Sequence, residues 1–155
     1  MALTTCMTNA AKGKFLDGVF LAADTYKMAM VKAGHTGTYD TTFVQVGTPG
    51  TGAPTTSNLG TDEVAASGSY AAGGFTMAGR TPGNTTTTSW LDWTTDPSFT
   101  TATLSAVGAI LYDDTVVGKP AISLHDFGGT VSSTAGTFTI TLPLPAAATA
   151  LVRLG

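Results

Sequence analysis

Hydrophobic and polar positions change rhythm early in this chain, and that change sets the fold. Residues 8–18 carry the best helical pattern: Thr8 or Asn9 can cap it, Phe15 and Leu16 lie toward its end, and Gly18 suits a C-terminal stop. Gly13 inside it predicts a short helix, with Val19, Phe20 and Leu21 anchoring it to the body. From Tyr26 the period becomes two. "TYKMAMV" sets Tyr26, Met28 and Met30 against Lys27, Ala29 and Val31, which predicts a strand with one buried face. Methionines at this spacing read as core filling.

Further strands are expected at 41–46, Gly74 to Ala78, 85–94, 101–114, 121–127, 136–144 and 148–155. In 101–114 both faces are nearly apolar, which predicts a central strand covered on both sides. Phe138, Ile140 and Leu142 against Thr137, Thr139 and Thr141 form the cleanest alternation in the sequence. Between them, "GTPGTGAPTTSNLGT" at 47–61 is too rich in Gly, Pro and Thr for regular structure and is expected to be an extended loop. About eight short strands separated by turn signals, after one short helix, predict a mainly β fold: an antiparallel β-sandwich, jelly-roll-like, in one domain over 1–155 with an N-terminal arm and helix at 1–23.

Composition narrows the partners. Only 11% of the 155 residues are charged and the net charge is −3, with Lys12, Lys14, Lys27 and Lys32 in the first third and no basic stripe later. Nucleic-acid binding needs such a stripe to neutralise phosphates, so direct contact with DNA or RNA is not expected. A surface of Thr, Ser, Gly and Ala suits a protein packed against neighbours. The opening residues are too polar for a signal-peptide core, and no apolar run nears the ~20 residues that span a bilayer. The expectation is a soluble chain with no membrane partner, made in a reducing cytoplasm. Cys6 is the single cysteine, so no internal disulfide or thiolate cage can form.

Few side chains offer chemistry. "His125-Asp126-Phe127-Gly128-Gly129" contains the kinase letters Asp-Phe-Gly without the surrounding loops that give them meaning. His125 sits beside an acid on an expected strand, and His35 lies in the "AGHTG" turn; two histidines without ligand spacing make a poor metal set. Asp92, Asp96, Asp113 and Asp114 could in principle pair as the carboxylates of a glycosidase, although Asp96 before Pro97 and the Asp113-Asp114 pair read as turn formers. Trp90 and Trp93 beside Asp92 could form a sugar-binding platform, though tryptophans on a strand belong more often to a core. The glycine pair in "SGSYAAGGFTM" could cradle a phosphate, but no helix follows it and Arg80 is the only basic residue near. Gly73-Gly74 is better read as a bend into a strand, with Tyr70 packed across it, and "DFGGT" as the same corner used again.

In this order the segments resemble a group of small virion proteins of tailed bacteriophages. "KFLDGVFLAADTYKMAMV" is similar to its opening helix and Asp-Thr-x-Lys-Met/Ile-Ala strand, and "DEVAASGSYAAGGFTM" to its Asn-Glu-Val-x-Gly-x-Gly-Tyr-x-x-Gly-Gly segment. "GAILYDD" and "LHDFGGTVSSTAGTFTITLP" resemble its Ala-x-x-Tyr strand and its Asp-Phe-Gly-Gly and Gly-x-Phe-x-Ile hairpin, and "ALVRLG" its closing strand. The likeness spans nearly all of the chain outside 47–61. Asp62 stands where asparagine is usual and Ser69 where glycine is usual, which bears on local turns. The resemblance implies a non-enzymatic structural component of the virion, a capsid decoration (head accessory) protein on the capsid exterior. The alternatives are a neck, collar, tail or fibre-attachment component, and a carbohydrate-binding module. It also implies other virion proteins as partners, a homo-oligomer such as a trimer, and assembly in the host bacterial cytoplasm. It carries over no catalytic, cofactor or metal-binding residue.

Overall fold

The computed structural model describes residues 3–154; positions 1 and 2 of the expected arm and position 155 of the expected closing strand lie outside the described residues. The protein is mainly β, with two antiparallel sheets and one short helix near the N-terminus, an arrangement consistent with a β-sandwich. The elements are β1 (Cys6–Met7), α1 (Asn9–Leu16), β2 (Tyr26–Lys32), β3 (Phe75–Thr76), β4 (Arg80–Asn84), β5 (Ser89–Trp93), β6 (Ser98–Asp113), β7 (Ala121–Thr139) and β8 (Val152–Leu154). One sheet has the order β1-β7-β6-β2-β3, the other β4-β5-β8.

The helix forms where its cap predicts. Thr8 Oγ1 accepts the Ala11 amide at 3.0 Å and donates to the Ala121 carbonyl at 2.8 Å, so one hydroxyl both starts α1 and ties it to β7. Phe15 then meets Phe20 edge to face, with ring centroids 4.8 Å apart. Beyond it, β2 runs antiparallel to β6 from Tyr26 opposite Asp113 to Lys32 opposite Ala106. The expectation of one buried face on β2 is corrected here, because Met28, Ala29, Met30 and Val31 are all buried. The strand lies inside its sheet and is covered from both sides.

One face of the five-stranded sheet turns toward the smaller sheet. Met28, Leu111 and Ile122 pack there with Leu91, Trp93 and Val152. Against the opposite face lies irregular chain: Tyr39, Phe43, Val46 and Leu59 cover Ala29, Ile110 and Leu124. The strand expected at 41–46 is therefore not a strand. Asp40 Oδ1 accepts the Thr42 amide at 2.7 Å and turns the chain, leaving a single bridge, Gln45 to Pro120. The 47–61 segment is irregular, as expected, and is laced down: Asn58 receives the Thr48 amide at 2.9 Å and donates to the carbonyls of Thr51 and Ala53.

Two further differences have local causes. The expected strand at 85–94 is only β5 in its second half; residues 85–88 turn the chain between β4 and β5, closed by the Thr85 amide, which donates to the Thr88 carbonyl at 2.8 Å. Pro82 and Gly83 masked β4 in the sequence, but β4 is an edge, where proline costs no ladder bond. Gly83 leaves room for the Trp90 ring, which would overlap any Cβ placed there. The segments expected at 121–127 and 136–144 are joined in β7, which ends at Thr139. Their "corner" at Gly128-Gly129 is an irregularity within that strand: Ala106 pairs with Val131 but Gly108 with Asp126, so residues 127–130 bulge out opposite Val107 alone.

Candidate functional site

The Gly73 amide holds a carboxyl group, and that group belongs to the chain. Glu63 Oε1 accepts the Gly73 amide at 2.7 Å and the Tyr70 hydroxyl at 2.8 Å. Tyr70 also receives the Met30 amide at 3.0 Å, and the Tyr112 hydroxyl donates to the Gly73 carbonyl at 2.6 Å. Burial pushes the Glu63 carboxyl above its ordinary pKa, against the bonds from Tyr70 and Gly73. Gly74 has φ +81°, and a Cβ there would overlap the Met28 carbonyl. The bend is thus a pinned joint between β2 and β3, with Tyr70 packed across it against Phe99 at 4.9 Å.

A second buried acid is bonded in a similar way but shifted in the opposite direction. Burial raises Asp62, but the amides of Gly37 and Thr36, the Tyr39 hydroxyl and Lys32 outweigh it and hold its pKa below the usual carboxylate value. Sequence reading noted Asp62 only as a departure from a family pattern and passed over Glu63 as a site. The nearby Tyr39, Tyr70 and glycines are the only trace such acids leave in a sequence.

The aspartates considered for glycoside hydrolysis do not converge on a pair. Asp92 is buried and accepts its neighbour's Trp93 amide at 2.8 Å; burial raises its pKa against the Trp93 and Leu151 amides. Asp96 is exposed and receives the Leu142 amide at 2.8 Å. Asp113 caps the turn after β6 through the Thr115 and Val116 amides. Burial raises Asp113, and Asp24, which sequence reading overlooked, adds to that. Asp114 instead bridges Lys27 at 2.8 Å and Lys119 at 2.6 Å. Trp90 and Trp93 do not form a platform: Trp93 is buried with its ring 5.4 Å from Tyr26, and Trp90, three residues away on the strand and so on its other face, lies over Gly83. The two histidines are also apart. His35 Nδ1 bonds the Gly37 carbonyl at 2.9 Å, whereas His125 Nε2 meets Ser123 Oγ at 2.9 Å. Among the described residues no group of three or more His, Cys, Asp or Glu is placed to hold a metal ion.

What the fold does assemble is a surface. β6 and β7 form a long hairpin whose far part, Ser98 to Ala106 against Val131 to Thr139, extends past the strands that flank its near part. Its inner side carries Phe99, Ala102, Leu104 and Phe138, packed on Met30, Val64 and Tyr70. Its outer side is hydroxyl-bearing and exposed: Ser98, Thr100, Thr101, Thr103 and Ser105 on β6, with Ser132, Thr134, Thr137 and Thr139 on β7. No charged residue lies between Asp96 and Asp113 or between Asp126 and Arg153. From Phe127 onward the outer edge of β7 has no partner strand among the described residues.

No protein-family model matches the chain, and neither a curated protein nor a solved structure matches it.

Proposed function

We propose that this chain is a non-enzymatic structural component of a tailed-bacteriophage virion, a head accessory protein seated on the capsid exterior and associating with copies of itself and with the major capsid protein. The resemblance of its ordered segments to small phage virion proteins supports this reading, and the uncharged outer face of the β6–β7 ribbon carries it. A face without charges can be buried without desolvating an ion, and its hydroxyls can exchange water for a neighbour's polar groups. The open edge of β7 adds unpaired main-chain donors and acceptors, which in natural sheets attract pairing or packing partners. Repetition by symmetry would multiply such modest contacts. The placement of Trp93 in the core and Trp90 on the opposite face removes the two-ring platform on which the sugar-binding alternative rested.

Cryo-electron microscopy of the particle that carries the chain tests this. Copies on the capsid lattice axes are expected. A ring of copies at the neck or tail would overturn the capsid station in favour of the neck, collar or tail role, and absence from purified particles would overturn the structural role itself.

A further inference from the structure

One residue on the margin of the main core carries a charge that the chain does not answer. Between the inner face of the five-stranded sheet and the chain that follows β7 runs a groove of about 700 Å³, within the range of small-molecule sites. Met7, Met28, Phe127, Ile140, Leu142 and Leu151 give it an apolar wall. All of these except Met28 are only partly buried, so each presents hydrocarbon that the protein itself does not cover. Arg153, on β8, lines the same groove and is exposed.

The other polar groups on the lining are neutral, and several are engaged within the chain. Ser123 Oγ and His125 Nε2 bond each other at 2.9 Å, and burial lowers the imidazole pKa to about 4, so the ring is uncharged at pH 7. Thr5 Oγ1 accepts the Asp126 amide at 2.9 Å, and Thr149 Oγ1 donates to the Leu144 carbonyl at 2.6 Å. Arg153 differs. Its guanidinium donates to one neutral acceptor, the Ala148 carbonyl, which leaves its charge and further donors unmatched. Among the described residues no carboxylate pairs with it, and no Asp or Glu lines the groove. The groove therefore joins an apolar wall to a single cation with no anion of its own.

The geometry points to a binding site for a small amphiphile with a hydrocarbon chain and one carboxylate, the chain lying against Phe127, Ile140, Leu142 and Leu151 and the carboxylate meeting the Arg153 guanidinium. The planar guanidinium fork matches a carboxylate in shape as well as in sign. Hydrocarbon burial supplies most of the affinity, and Arg153 sets the preference among head groups. That preference is modest, because an exposed guanidinium keeps much of its hydration. A neutral head group gains nothing from the charge, and a cationic one meets its own sign. The site is separate from the outer face of the β6–β7 ribbon and does not depend on the virion role.

Calorimetric titration of the full chain with decanoate, 1-decanol and decyltrimethylammonium, each below the concentration at which it self-associates, tests the assignment at pH 7 and low salt. Decanoate is expected to saturate at one molecule per chain, roughly three- to fivefold tighter than decanol, the ratio an exposed ion pair supplies. Decyltrimethylammonium should bind more weakly than decanol. Arg153→Gln keeps a donor for the Ala148 carbonyl and removes the charge, so it should bring decanoate to the affinity of decanol while leaving decanol unchanged. Ala147→Trp, at a half-buried lining position, should fill the groove and abolish binding of all three. Absence of saturable decanoate binding by the wild-type chain would overturn the site. So would equal affinities for decanoate and decanol, decyltrimethylammonium binding as tightly as decanoate, or a preference for decanoate that survives in Arg153→Gln. The Arg153→Gln comparison stands even if Ala147→Trp does not fold.

Discussion

The β6–β7 hairpin is two structures in one pair of strands. Near its base, Gly108 to Asp113 are buried without interruption, because β2 and β7 flank β6 while chain packs on both of its faces. Toward the tip, Phe99, Ala102, Leu104 and Ala106 are buried and the residues between them are exposed, a strict two-residue rhythm broken only where Thr101 adopts φ +54° in a bulge. The backbone is the same and the surroundings differ. At the base the side chains are apolar or bonded, as the Tyr112 hydroxyl is, with Asp113 Oδ2 the one buried oxygen left without a partner among the described residues. At the tip only alternate positions are so constrained, and the chain fills the others with Thr and Ser. The base is buried on both faces, and the tip leaves alternate side chains exposed.

If that division is right, mutations should fall into two classes. The largest effect belongs to the joint that holds β2 at the base: Gly74→Ala places a Cβ against the Met28 carbonyl at a φ that disfavours side chains, and we expect a loss of about 3 kcal/mol or more in urea unfolding. Ile110→Ala, fully buried at the base, should cost about 2–5 kcal/mol by the same assay. Val131→Ala, 44% exposed at the tip, should change stability by no more than about 0.5 kcal/mol. Equal losses at the two sites would break the comparison.

Glu63 gives a smaller, pH-dependent effect. Its folded pKa is raised above the unfolded value, so the folded state holds the proton more tightly. Its contribution is therefore present below the unfolded pKa and is lost as pH rises through the folded value. Glu63→Gln, which retains an acceptor for Tyr70 and Gly73, should make the decline in urea midpoint above pH 4.5 shallower. The decline should not vanish, because Asp92 and Asp113 are raised as well. A steeper decline in the variant would contradict this account. The smallest effect on stability is expected from Val131→Lys, which should leave the urea midpoint within about 0.5 kcal/mol of wild type while weakening self-association in sedimentation velocity.

Most strands with clean rhythm were legible in the sequence, although the cleanest alternation, Phe138 to Leu142, runs past the end of β7 at Thr139. The helix with its Thr8 cap, the strand at Tyr26, the double-sided burial near Ile110 and the Gly73-Gly74 bend all follow from local patterns. Three features were not legible, each for a physical reason. β4 carries Pro82 and Gly83, which argue against a strand until its edge position and the Trp90 ring are known. The 41–46 stretch has strand composition, but the Asp40 turn and the cover it gives Ala29 and Ile110 decide its shape. Gly128-Gly129 looks like the bend at Gly73-Gly74, yet the pairing of Ala106 with Val131 and of Gly108 with Asp126 makes it a bulge inside β7. The polar centres were harder still. Glu63 and Asp62 take their roles from amides that only the folded chain brings near, and Asp24 reaches Asp113 across the sheet end. Neither the ribbon's bare edge nor the groove beside His125 has a local signature.

Hydrogen–deuterium exchange on the free chain and on the assembled particle tests the central claim most directly, by following peptides from 108–113 and 131–139. In the free chain the base should exchange slowly and the tip quickly. On the particle the tip should become protected by at least about tenfold while the base is unchanged. A tip that exchanges as fast on the particle as in solution would contradict the proposal that it is the surface through which this protein meets its neighbours.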